Sequence, residues 1–170
     1  MYIKPSEGIE LVKVTIWNEY RHELNNEKVK AIYPQGIHMA IKLFLEEEDD
    51  FVVRTATLDS EENGITQEIL DDTDVLTWWG HKTHKDLPDE KAAMIQQAVL
   101  SGMGFIALHS AHHSKPFKAL MGTSCNLSWR EDGDMERVWV VKPSHPIAQG
   151  IDRYFELPRD ETYAEPSAGT

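Results

Sequence analysis

The chain has 170 residues, 41% of them apolar and 27% charged, and a formal net charge of −12. That length and balance suit one globular domain with a real core, and the strong negative charge argues against duplex DNA, RNA or an anionic membrane surface as partner. Cys125 is the only cysteine, which rules out an intrachain disulfide and fits a reducing, cytoplasmic setting. No apolar run approaches transmembrane length.

Residues 1–11, with Pro5 and Gly8 as breakers, read as a leader without a signal pattern. Val12 to Trp17 is β-rich and alternating, and predicts a first strand that ends in the polar loop 18–23. Asn25 or Asn26 can cap the next helix, with Glu27 well placed in its first turn. Pro34 and Gly36 break the helical spacing, so a second helix is expected over 36–46. Phe51 to Leu58 predicts the second strand, and Thr66 caps a short helix that runs to Asp71.

Val75 to Trp79 predicts the third strand, stopped by Gly80, with His81 and His84 immediately after it. Pro88-Asp89 starts a helix that Gly102 ends. Phe105 to Leu108 predicts the fourth strand, which leads into His109-Ser110-Ala111-His112-His113. Ser114, with Pro116 in the first turn, starts a helix that Gly122 ends. A polar loop over 123–134, a fifth strand over 137–141 and a short sixth over 154–157 complete the pattern.

Alternating strands and helices imply a mostly parallel sheet with right-handed crossovers. A flavodoxin-like order, 2-1-3-4-5, places strands one, three and four side by side, so loops 18–23, 80–84 and 109–113 should meet at one sheet edge.

Seven motifs succeed one another in order: N-E-Y-R-H-E (18–23), Y-P-Q-G-I-H (33–38), W-W-G-H-K-T-H (78–84), L-H-S-A-H (108–112), L-M-G-T-S-C-N-L-S-W-R-E (120–131), H-P-I-A-Q-G-I (145–151) and E-T-Y-A-E (161–165). Together they resemble the trehalose-utilisation (ThuA-like) family. The resemblance implies an α/β, class I glutamine amidotransferase-like sandwich over a single domain, 1–170, and a part in the use of trehalose or related disaccharides. The family continues beyond the last motif, so a chain ending here is expected to lack a C-terminal segment, leave apolar sheet surface uncovered, and either self-associate as a homo-oligomer or be less stable than a full-length relative.

Amidotransferase-like folds carry a cysteine nucleophile after the fourth strand; here His109-Ser110 stands there, so a cysteine glutaminase is not expected. Cys125 reads as a packed or incidental thiol. His22, His81 and His109 are the metal candidates, because neutral imidazole is the usual ligand of zinc-like divalent ions and catalytic zinc commonly takes three protein ligands and a water. The competing reading has the same histidines only hydrogen-bonding sugar hydroxyls or each other. Glu19, His109 and His112 are the candidates for proton transfer.

Ser110 is a candidate sugar contact by capping or hydrogen bonding. Only one of Trp78 and Trp79 can face a cleft, and Trp79 is the candidate to stack on a sugar. Tyr163 and Glu165 match the family's E-x-Y-x-E motif and could complete the pocket. His38 is expected to cap or pack on its helix, and His145 to lie in a loop. The expected function is an enzyme acting on a disaccharide or keto-disaccharide at a histidine-rich cleft. The alternative is a non-catalytic sugar-binding or regulatory protein. No nucleotide or flavin is expected, since loop 18–23 carries Glu19 and Glu23 where a phosphate would need donors.

Overall fold

The computed structural model describes residues 11–164. The expected leader, Glu165 and the tail Ser167 to Thr170 lie outside them. The chain divides into two compact units, with the boundary between Cys125 and Asn126.

The first unit holds a four-stranded, all-parallel sheet in the order β2-β1-β3-β4, made of β1 (Val12–Asn18), β2 (Phe51–Thr57), β3 (Val75–Trp79) and β4 (Gly104–Leu108). Between β1 and β2 run the short helices α1 (His22–Asn25) and α2 (Glu27–Ile32), then α3 (Ile37–Leu45). α4 (Gln67–Asp71) precedes β3, α5 (Asp89–Leu100) links β3 to β4, and α6 (Lys115–Met121) comes after β4 and a single 3₁₀ turn, His109–His113.

Local chemistry sets the helix starts. Asn26 accepts from the amides of Lys28 and Val29, Thr66 from that of Ile69, and Ser114 from that of Phe117. Val14 and Ile16 are buried on one face of the sheet, and the main core cluster lies on the other. Trp17 and Trp78 stack there with ring centroids 3.7 Å apart and planes 6° apart, among Leu76, Ile65, Leu70 and Ile95. Thus Trp78 is the core tryptophan and Trp79, on the opposite face, is only half-buried.

The second unit holds two small antiparallel sheets. β5 (Ser128–Arg130) pairs with β8 (Thr162–Ala164), and β6 (Glu136–Trp139) pairs with β7 (Tyr154–Leu157). The expectation that 137–141 forms a fifth strand of the parallel sheet is therefore corrected. A strand of an all-parallel sheet has both faces covered, whereas Glu136 to Trp139 alternates between half-buried and exposed. The ribbon satisfies it instead: Arg137 bonds Glu156 and lies over the Trp139 and Tyr154 rings, at 5.6 and 4.7 Å. Among the described residues no helix is long and apolar enough to cross a membrane.

Candidate functional site

The register Asn18↔Trp79↔Leu108 aligns the last residues of β1, β3 and β4. Glu19, Gly80 and His109 are therefore the first residues past one sheet edge, the edge where open α/β sheets bind their ligands. Loops 18–23, 80–84 and 109–113 meet there as expected.

Loop 18–23 is built on a buried polar knot. Asn18 is fully buried (0% exposed). Its Oδ1 accepts from the amide of Tyr20, and its Nδ2 donates to Glu23 Oε1 at 2.7 Å and to His38 Nδ1 at 2.8 Å. Glu23 Oε1 also accepts the amide of Ile37 at 3.0 Å, so a distant carboxylate caps α3, whose own cap position is Gly36. A Cβ at Gly36 would come within 2.5 Å of His38 Cε1 and 2.8 Å of Tyr20 Cε2, and its φ of +91° already favours glycine. His38 thus packs as expected, and burial lowers its pKa against the opposing pull of Glu23. The roles of Asn18 and Glu23 carry no sequence signal, because their partners meet only once the loop has folded.

Glu19 is 1% exposed and spends its carboxylate on the neighbouring loop. Its oxygens accept the amides of Lys82 at 2.5 Å and Thr83 at 3.0 Å. The candidate proton-transfer carboxylate is thus the clamp that shapes residues 80–84. Gly80 leaves room for His84: a Cβ there would stand 3.1 Å from His84 Nδ1. Burial also lowers the pKa of His84, whose Nδ1 is buried without a hydrogen-bond partner.

His81 projects from the same loop. Its ring stacks on His22, with centroids 4.8 Å apart, and lies nearly parallel to Trp79 at 6.3 Å. His109 also stands against Trp79, its ring tilted and 5.9 Å away. Burial is the largest cause of a lowered His81 pKa, helped by the charges of Lys82 and His22. His81 Nδ1 lies 3.0 Å from Ser110 Oγ, and the Ser110 hydroxyl donates to the Gly80 carbonyl at 3.0 Å. The buried indole N–H of Trp79 has no protein acceptor. His109 holds a φ of +47°, a left-handed conformation rare for a residue with a side chain.

The edge therefore carries two histidine groups. In one, His81 and His109 stand against Trp79 and His22 stacks on His81. His84, His113 and His112 form the other, with His84–His113 centroids 6.3 Å apart and His112–His113 4.2 Å apart. His112, a proton-transfer candidate from sequence, stands in the second group, its Nδ1 donating to the Cys125 carbonyl at 2.9 Å. Cys125 itself takes hydrogen bonds with Thr123.

The geometry bears directly on the metal candidates His22, His81 and His109. Imidazole lone pairs lie in the ring plane, and the His22 and His81 planes are only 21° apart in a stack, so the two rings do not aim at one point. Among the described residues no group of three histidine, cysteine or acidic side chains is arranged to hold a metal ion. The residues as arranged do not fit a three-ligand zinc centre.

Tyr163 lies on β8 of the second unit, where burial and the Glu161 carboxylate it bonds push its phenol pKa up. Its partner in the motif, Glu165, lies outside the described residues.

No curated protein matches the chain. Among solved structures, it is similar to a crystal structure of a thua-like protein from Bacteroides uniformis ATCC 8492, with a TM-score of 0.61 and 15% sequence identity. The match covers 95% of this chain and 63% of that one; at such identity it speaks for the fold alone, a flavodoxin-like α/β arrangement. Residues 13–168 match the family model ThuA, trehalose utilisation. With the model spanning nearly the whole sequence and the ordered motifs lying within it, the chain belongs to the ThuA trehalose-utilisation family.

Proposed function

We propose that the group around Trp79 is the site of an enzyme of carbohydrate catabolism that moves protons on a disaccharide or keto-disaccharide. The observation that carries this reading is the clustering at the carboxyl edge of the sheet of His81 and His109 against the Trp79 indole, with His22 stacked on His81 and His81 biased toward its neutral form. A neutral imidazole takes a proton from a sugar hydroxyl, or from the carbon beside a keto group, and the imidazolium formed returns it to another substrate atom. The half-buried Trp79 supports a sugar through the exposed part of its indole ring, while its N–H is buried. The buried knot at Asn18 and the Glu19 clamp hold the loops that carry His22 and His81, which is the rigidity such a site needs.

The test is incubation of the protein with trehalose and its keto derivatives, with product analysis and calorimetric binding in parallel. The wild type should form product, and His81→Gln should lower kcat by roughly 10²-fold or more. Binding without product would favour a sugar-binding or regulatory protein on the same fold. Neither binding nor product would remove the carbohydrate reading.

A further inference from the structure

Ser110 has one hydroxyl proton, and the Gly80 carbonyl beside it can only accept. With that proton on the Gly80 oxygen at 3.0 Å, Ser110 Oγ has only lone pairs left for His81 Nδ1, also at 3.0 Å. Two acceptors cannot bond, so Nδ1 must carry the hydrogen. We infer that Ser110 is a positioning residue that holds His81 as the Nδ1–H tautomer and leaves Nε2 as the proton-accepting atom of the site.

Two further features agree. Gly80 and Ser110 come just after neighbouring strands, β3 and β4, so the relay spans the sheet edge and its ends are fixed by the ladder. His22 stacks on the His81 ring at 4.8 Å, which hinders a flip that would exchange its two nitrogens. Loss of the relay would return His81 to the behaviour of a free imidazole, which favours the Nε2–H form, and the lone pair would then face Ser110 rather than the cleft. The catalytic meaning of this arrangement rests on the proton-transfer reading above; the tautomer itself does not.

The test is nitrogen-15 NMR of the histidine side chains in the intact protein at about pH 8, above the ordinary imidazole pKa. The His81 signals are assigned by their loss in His81→Gln. The expected wild-type pattern is a protonated Nδ1 and an unprotonated Nε2. Ser110→Ala should invert it, and Ser110→Thr, which keeps a hydroxyl on the same carbon, should restore it. On any sugar the wild type turns over, Ser110→Ala should lower kcat by about tenfold with KM little changed, and Ser110→Thr should recover most of it.

A wild-type His81 protonated at Nε2, or a Ser110→Ala spectrum identical to wild type, overturns the inference. If Ser110→Ala fails to fold, the wild-type pattern alone decides. The spectra need no substrate, so an Nδ1–H His81 in a protein that turns over no sugar sinks the enzyme reading and upholds the tautomer. Turnover by a protein with the opposite tautomer does the reverse.

Discussion

The two units differ in what holds them together. The first buries Ile16, Leu76, Ile65 and Ile95 completely and packs two tryptophans face to face. In the second no described residue is fully buried, and Trp129, Trp139, Val141 and Ile147 are exposed. Its strands are held by short antiparallel ladders, the Arg137–Glu156 pair and the guanidinium over two aromatic rings. Two-stranded ribbons are marginal in water, whereas a covered parallel sheet is not. Chemistry that depends on positions held to fractions of an ångström belongs on the first kind of structure, and the histidine edge stands there.

Core substitutions test this contrast with the largest effect. Leu76→Ala, at a fully buried β3 position, should cost about 2–5 kcal/mol in urea unfolding. Val141→Ala, at a residue 92% exposed in the second unit, should stay within about 0.5 kcal/mol. Equal costs would break the comparison.

Next in size is the clamp. Glu19→Gln keeps the shape but turns one acceptor into an amide that meets a backbone N–H. A loss of about 1–3 kcal/mol is expected, with faster hydrogen exchange at Lys82 and Thr83. Unchanged exchange at both amides would show that the loop keeps its shape without Glu19.

The strained turn at His109 gives a smaller effect. His109→Ala and His109→Gly both remove the imidazole, but only glycine adopts a φ of +47° without cost. The glycine variant should be the more stable of the two by about 1 kcal/mol, read from urea midpoints. Such strain at the end of β4 persists where the surroundings impose it, and sites of function are where it gathers. An alanine variant as stable as the glycine variant would mean that the turn stores no strain.

Much of this edge could be read before the fold was known, for a simple reason. Val75 to Trp79 is a continuous apolar run closed by a glycine, as a strand buried on both faces must be, and parallel strands joined by right-handed crossovers put their carboxyl ends together. That reasoning places His22, His81 and His109 on one edge but says nothing of ring orientation. Stacking of His22 on His81 depends on how loops 18–23 and 80–84 fold, and the departure of His112 to the Cys125 carbonyl on the 3₁₀ turn after β4. Glu19 looked like an acid or base because it is a carboxylate in the right loop; its two amide partners are more than sixty positions away. For residues 136–139 the sequence, Glu136-Arg137-Val138-Trp139, carries no alternation, and the half-buried and exposed pattern emerges only where the strand pairs with β7.

The smallest expected effect is a slope with pH. Burial lowers the pKa of His38, His81 and His84 below the ordinary imidazole value of about 6.5. In the unfolded chain these side chains take up protons as pH falls through that value, while in the folded protein they stay neutral to a lower pH. The unfolded state then binds more protons, so stability falls as pH drops from about 6.5 toward the folded-state values, and is flat with respect to these groups above about 7.5. The carboxylates of Asp59, Glu62 and Asp72, lowered by their paired cations, act in a separate and more acidic window. Urea midpoints between pH 8 and about 5.5 should therefore decline, all of it assigned to the first unit. His38→Gln offers Asn18 an amide oxygen in place of Nδ1 and cannot titrate, so its decline should be shallower than that of the wild type. An equal slope in the two proteins would show that His38 gains no proton on unfolding, and that the buried knot beneath loop 18–23 is not where the edge senses acid.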